Sequence, residues 1–348
     1  MPKKIIVGLV VFCLAAGAIA IRFFFSNTPF NEKAKYLYLR TGEANKASVI
    51  KSITDHKLVR NPASFELLAG QMGVWEKLRT GKYEIKKGMS LMDIARMLRN
   101  GKQSPVNLII TKIRTKEQLA ALVGKKFESD SLQLITFLNN KDTLKKYDLD
   151  TNTVMTVVFP NTYIYLWNSS PSGIFKKLFA EYQKVWTEER KHKADSQGLT
   201  PTTAYILASI IEEETNRNEE KGNIASVYLN RLAKNMNLGA DPTVKFALRD
   251  FALTRIYEKH LAFESPYNTY RNKGLPPGPI CTPSLKTLDE TLNAPKTNYL
   301  FFVASKDFSQ RHVFNETYAG HLKSAKEYQQ ALNRIQQKQK TAPSEPEN

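Results

Sequence analysis

The spacing of apolar residues changes character several times along the chain. Residues 5–21 form an apolar run unbroken by any charge, preceded by Lys3 and Lys4 and followed by Arg22 and three phenylalanines. A bilayer core takes about 17–25 apolar residues. Residues 5–25 therefore predict a single transmembrane helix, with Arg22 reaching toward headgroups and the aromatic run at the interface. The rival reading is a cleaved signal peptide, because AIA at residues 18–20 has the A-x-A form. The run exceeds the usual 7–15-residue signal core, which favours an uncleaved anchor. The four residues before it stay in the cytoplasm by the positive-inside rule, and the rest of the chain lies outside it.

After a short polar linker at 26–35, the periods shorten. KYLYLRTG predicts a strand ending at Gly42, and KASVIKSITDHKLV has apolar residues at helical spacing. A strand over 83–85, a turn at Gly88 and a helix capped by Ser90, with Asp93 in its first turn, come next. Gly101 ends that helix. This strand–turn–helix unit resembles the small glycan-binding LysM module. A strand over 106–110 leads into several helices, and Pro201 opens the next one at its first position. SVYLNRL reads as a helix, and Asp241 with Pro242 as a capped helix start. NYLFFVA reads as a buried strand, HVFN as a turn before a last helix, and the polar tail from Gln336 as disordered. The fold class expected is α+β.

Composition agrees with a folded protein: 42% hydrophobic and 24% charged residues in 348. The net charge of +18 suggests an anionic partner. The lysines are scattered in pairs rather than gathered in one arm, and the chain is placed outside the cytoplasm, so nucleic acid is disfavoured. Of the two cysteines, Cys13 lies in the apolar run, leaving Cys281 without a partner for an internal disulfide. No Cys/His spacing resembles a zinc site, and the five dispersed histidines read as structural or surface residues.

The candidate chemistry begins at ILASIIEEETN, residues 206–216. At about 100° per residue, Leu207, Ile210 and Ile211 make one apolar stripe. Glu214 falls at its centre, and Glu212 and Glu213 point away from it. Two glutamates are thus expected on exposed faces and one inside. A carboxylate against apolar groups has a raised pKa, as a general acid near neutral pH requires. The periodicity alone equally allows a buried structural ion pair. Residues 265–283 hold five prolines and two glycines around Tyr267, Asn268, Thr269 and Tyr270. Long ordered loops are usually functional, and aromatic faces beside amides and hydroxyls suit sugars.

ASIIEEET, ASVYLNRL, DPTV, YNTY-x3-GLPPGPI-x-TPS, YLFFVA and HVFN occur in that order across residues 200–325. On these motifs, with FPNTY and the N-terminal anchor, the chain resembles the endolytic murein transglycosylases, or YceG-like proteins. Asn161 stands where that family usually has Asp. The resemblance implies a membrane-anchored lyase, without metal or organic cofactor, that cuts peptidoglycan strands internally between N-acetylmuramic acid and N-acetylglucosamine and leaves 1,6-anhydro ends. It maps the catalytic acid onto Glu214 and implies penicillin-binding proteins as partners. Asn230, Asp241, Tyr267, Asn268 and Tyr270 are the residues expected to line the glycan cleft. The organisation expected is an anchor at 5–25, a LysM-like subdomain at 36–105, a catalytic domain at 106–335 and a tail at 336–348. The alternatives are a hydrolase pairing Glu214 with Asp241 and a non-catalytic wall-binding scaffold.

Overall fold

In the computed structural model, residues 7, 8, 10–14, 17, 18 and 27–341 are described. The anchor expected at 5–25 lies largely outside them; among the described residues no helix is long and apolar enough to cross a membrane.

The elements follow in the order β1 (Ala34–Leu39), α1 (Lys46–Asp55), α2 (Pro62–Gln71), β2 (Gly81–Lys86), α3 (Leu91–Arg99), β3 (Pro105–Ile110), α4 (Lys116–Gly124), α5 (Ser131–Asn139), α6 (Lys141–Lys145), a 3-10 turn (Val154–Val157), β4 (Asn161–Leu166), α7 (Pro171–Val185), α8 (Glu188–Ser196), α9 (Pro201–Glu214), α10 (Asn218–Ala233), α11 (Asp241–Leu248), α12 (Glu258–Leu261), α13 (Leu285–Leu292), β5 (Phe301–Ala304), β6 (His312–Asn315) and α14 (Tyr318–Thr341). The strands pair in twos, β1–β2, β3–β4 and β5–β6. The chain is therefore α+β with small sheets, as its periodicity predicts.

Two compact units form. Among the described residues, one takes in those up to Leu108, with Ala121–Leu134 and Thr162–Ile174; the other takes in Ile109–Ala120, Ile135–Asn161 and those from Phe175 to Thr341. In the first unit β1 and β2 run antiparallel, with Tyr36 opposite Glu84 and Tyr38 opposite Lys82. Alternation puts Leu37, Leu39, Tyr83 and Ile85 on the inner face. There they pack with Ile53, Phe65 and Ile94 in one cluster. Asn45, Asn61 and Ser90 cap the three helices by accepting the backbone N–H three residues on.

The second unit is organised around α9. Thr200 and Thr203 form a reciprocal cap, and Pro201 sits in the first turn. Residues 204–211 are all buried. The helix is therefore enclosed on every side, by a cluster including Phe159, Tyr228, Phe246, Ile280 and Leu288. The β5–β6 hairpin pairs Phe301 with Asn315 and Ala304 with His312. Its strand β5 is half-buried rather than buried, and HVFN is its second strand rather than a turn. Helix α14 continues to Thr341, and residues 342–348 lie outside the described ones.

Candidate active site

Helix α9 ends in its three glutamates, at the negative pole of its dipole, where cations are favoured and carboxylates are not. Each carboxylate meets different company. Glu212 accepts from Lys221 Nζ at 3.2 Å and Ser284 Oγ at 3.1 Å, and from the Thr287 hydroxyl. Glu213 pairs with Lys112 at 3.2 Å and Arg114 at 2.9 Å. Both glutamate side chains are 15% exposed, which overturns the expectation of two solvated faces. A helical wheel assumes one wet side, and a helix enclosed all round has none.

Glu214 faces α10. Tyr228 donates its hydroxyl to Oε1 at 2.6 Å. Tyr228 and Arg231 share one face of α10 at a spacing of three. The Arg231 guanidinium lies 5.4 Å from the Phe301 ring centre and donates Nε–H to the Leu300 carbonyl at 2.7 Å. Burial pushes the Glu214 pKa from 4.5 up to about 7; the Tyr228 hydrogen bond opposes this, the Asp241 charge adds to it, and Arg231 and Lys245 oppose it. Burial also raises Tyr228 well above its ordinary value, as does the carboxylate beside it, so the phenol stays a donor.

Asp241 enters from the start of α11. The cap of that helix is Ala240, with no side-chain bond, so Asp241 is not the N-cap that its sequence context suggests. Ala240 instead gives its N–H to Thr269 Oγ1 at 3.0 Å and its carbonyl accepts from Thr243 Oγ1 at 2.6 Å. The Asp241 carboxylate is left exposed at its helix start and accepts from Tyr270 Oη at 2.5 Å. Gly239 precedes it at φ +56 and donates its N–H to the Thr269 carbonyl at 3.1 Å. These bonds stitch the 268–270 stretch to the helix start and aim Tyr270 at Asp241.

The remaining expected residues divide. Asn268 is fully buried: its amide donates to the carbonyls of Leu261 at 2.9 Å and Phe263 at 2.7 Å, and its oxygen accepts from Tyr270 N–H at 3.0 Å. It positions Tyr270. Asn230 spends both amide hydrogens on the carbonyls of Thr297 at 2.8 Å and Tyr299 at 2.9 Å, holding the approach to β5. Tyr267 packs against Phe246 with ring centres 4.7 Å apart. The loop passes close behind it at Gly278, where a Cβ would stand 2.2 Å from the Asn152 carbonyl oxygen and 2.9 Å from Tyr267 Oη. Ser209 anchors this loop to α9, its hydroxyl accepting the Ile280 N–H at 3.0 Å. Asn161 donates to Glu181 at 3.5 Å, an exposed contact. Among the described residues no group of three or more His, Cys, Asp or Glu could hold a metal ion.

Tyr228 and Lys245 do not stand out in the sequence, and of the adjacent polar pair Asn230 and Arg231 only Asn230 is expected in the cleft. The signal available was the three-residue spacing of Tyr228 and Arg231, with Tyr an unusual choice on a buried helix face.

The sequence model of the YceG-like family matches residues 38–327. The chain belongs to the YceG-like family. A protein of Bacillus subtilis named endolytic murein transglycosylase is 28% identical over 302 residues, 82% of each chain. One of Streptococcus pneumoniae serotype 2 with the same name is 27% identical over 65% of this chain, which spans 46% of that relative's length. A crystal structure of a yceG-like protein from Listeria monocytogenes matches with a TM-score of 0.55 at 26% identity, over 84% of this chain and 99% of that one. The matched residues take in Glu214, Tyr228, Arg231, Asp241 and Tyr270.

Proposed function

We propose that this protein is an endolytic peptidoglycan lytic transglycosylase with Glu214 as its single acid–base group. One observation carries the reading: a carboxyl with a pKa of about 7, held by burial at the end of a helix and hydrogen-bonded by a tyrosine. Such a group is protonated in part at neutral pH and can act in both directions. Glu214 gives its proton to the glycosidic oxygen as the bond to C1 of the muramic acid breaks. The resulting carboxylate, steadied by the Tyr228 hydroxyl, accepts the proton of the C6 hydroxyl as that oxygen closes on C1. No water enters and Glu214 regains its proton. The nearby carboxylate of Asp241, fixed by Tyr270, faces the positive charge that develops at C1.

The same Asp241 motivates a second reading, a hydrolase that uses it to activate water. Digestion of purified peptidoglycan separates the two. Transglycosylase products are lighter than hydrolase products by one water, and Glu214→Gln is expected to abolish their release with the fold intact. A fully active Gln variant sinks both readings.

Around this site we place a membrane anchor at 5–25 and a LysM-like, glycan-binding subdomain at 36–105, ahead of the catalytic domain at 106–335. The strand β2, the left-handed turn at Gly88 and the Ser90-capped helix α3 follow the strand–turn–helix order of that module and support the LysM-like assignment. The uninterrupted apolar N-terminal run supports placement at the outer face of the cytoplasmic membrane. Peptidoglycan strands are the partner that the site chemistry calls for, and penicillin-binding proteins those that joint strand synthesis and cutting would bring together.

A further inference from the structure

Helix α11 carries charge along one face at helical spacing: Asp241 beside Glu214, Lys245 one turn on, and Arg249 one residue past its end. Lys245 lines a small cavity with Arg114, Glu213, Pro242 and Phe246. A second cavity of about 110 Å³ shares Arg114 and Phe246 with it and adds Lys116, Glu117, Tyr267 and Arg249. The two cavities neighbour each other across Arg114 and Phe246, one lined by Lys245 and the other by Arg249.

The cations in it are not equally engaged. Arg114 is paired with Glu213, and Lys116 donates to Asn139 and to the Thr151 carbonyl. The Arg249 guanidinium lies 4.8 Å from the Phe246 ring centre, and among the described residues it makes no ion pair or side-chain hydrogen bond. Glu117 is the one carboxylate lining that second cavity; burial works against its ionised form, and the Thr115 hydroxyl, its own backbone N–H and, after these, the Arg249 charge favour it and hold its pKa below the ordinary value. Arg249 also adopts φ +56 as the helix C-cap, a left-handed conformation in which glycine is unstrained and arginine is not. An arginine here therefore costs backbone energy, while its exposed guanidinium rests on the Phe246 ring with no hydrogen-bond or ion-pair acceptor among the described residues. A planar guanidinium backed by an aromatic ring is suited to bidentate recognition of a carboxylate.

We propose that Arg249, with Lys245 and the cavity floored by Phe246 and Tyr267, is a subsite for a carboxylate of the peptide stem carried by the muramic acid. This rests on the peptidoglycan reading above. The length fits. Eight residues at 1.5 Å rise put Arg249 about 12 Å along the helix from Asp241, the reach of three to four extended peptide residues. That is too far for the lactyl group on the sugar itself and right for a carboxylate well out along the stem.

The test measures binding and cleavage in parallel, with the full chain in detergent. The substrates are fluorescent glycan fragments of three kinds: stem-bearing, stem-bearing with the stem carboxylates amidated, and stripped of stems by an amidase. Stem-bearing fragments are expected to bind at least 10-fold more tightly than either of the others, with the difference shrinking as salt rises. Arg249→Gly, which relieves the left-handed strain, should melt no lower than the parent yet reduce that preference at least 5-fold. Arg249→Lys, which keeps the charge but loses the planar fork stacked on Phe246, should retain only part of it. Equal binding of stem-bearing and amidated fragments, or an undiminished preference in Arg249→Gly, overturns the subsite. Failure to cleave any fragment while the binding preference holds sinks the catalytic reading and leaves the subsite standing.

Discussion

Replacing Glu214 by Gln should stabilise the protein, and by an amount that depends on pH. In the unfolded chain a glutamate ionises near 4.5, and in the native site near 7. The native state therefore holds its proton more tightly. The favourable state is the protonated one, present below about pH 4.5; that stability is lost as pH rises toward 7, and the cost of the buried charge is constant above it. A displacement from 4.5 to about 7 corresponds to about 3 kcal/mol at 1.36 kcal/mol per unit. A glutamine has no charge to bury and still accepts from Tyr228, so it avoids most of that cost. For a domain of this size the melting temperature at pH 8 should be higher in Glu214→Gln by roughly 5–10 °C. At pH 4 both side chains are neutral in both states and the difference should nearly vanish. Calorimetric melts of the two proteins at pH 4, 6 and 8 make the comparison. A gap that is constant across this range, or a Gln variant that melts lower at pH 8, refutes a carboxyl held near 7 by burial.

Two substitutions should move the alkaline limb of the pH–rate profile in opposite directions. Tyr228→Phe removes a bond that favours the ionised carboxylate, so the limb should shift to higher pH; Asp241→Asn removes a repelling charge, so it should shift to lower pH. Profiles of kcat/KM from pH 5 to 9 read both, and shifts of the same sign would contradict the electrostatics described. Glu212→Ala leaves Lys221 buried at 5% side-chain exposure without its carboxylate; it should cost about 3–5 kcal/mol in denaturant unfolding while activity per folded molecule at low temperature is retained.

Much of the local structure is legible in the residues. Pro201 after Thr200, Ser90 before Asp93 and the alternation of KYLYL each have a mechanism that operates within a few residues, and each appears where it is expected. Glu214 was legible because Ile210 and Ile211 define a direction and the motif names the same residue. The other two glutamates were not. Their partners, Lys221 and Ser284 for one, Lys112 and Arg114 for the other, come from segments that only the fold brings to α9. Asp241 shows the same limit in reverse. Its sequence context suits a cap, but the helix begins one residue earlier, with Ala240 as the cap, and the Asp241 carboxylate accepts instead from Tyr270, in a loop 29 residues away. Asn268 and Asn230 have the polar character of ligand-binding residues, yet both bind their own backbone. Composition cannot tell an amide that holds a sugar from one that holds a loop.

The three adjacent carboxylates also constrain how this gene can change. Glu212, Glu213 and Glu214 are chemically identical and 100° apart, so their roles depend only on position in the helix. Deleting one of the three leaves the acidic motif almost intact to the eye. It also rotates the following residues by one step, so that a carboxylate that should meet Tyr228 meets Arg114 instead. Substitutions among neighbours of α9 can accumulate gradually, but a length change between Thr200 and Thr215 exchanges every role at once. Alignments of YceG-like sequences should therefore show this segment free of gaps, even where the flanking loops vary freely in length.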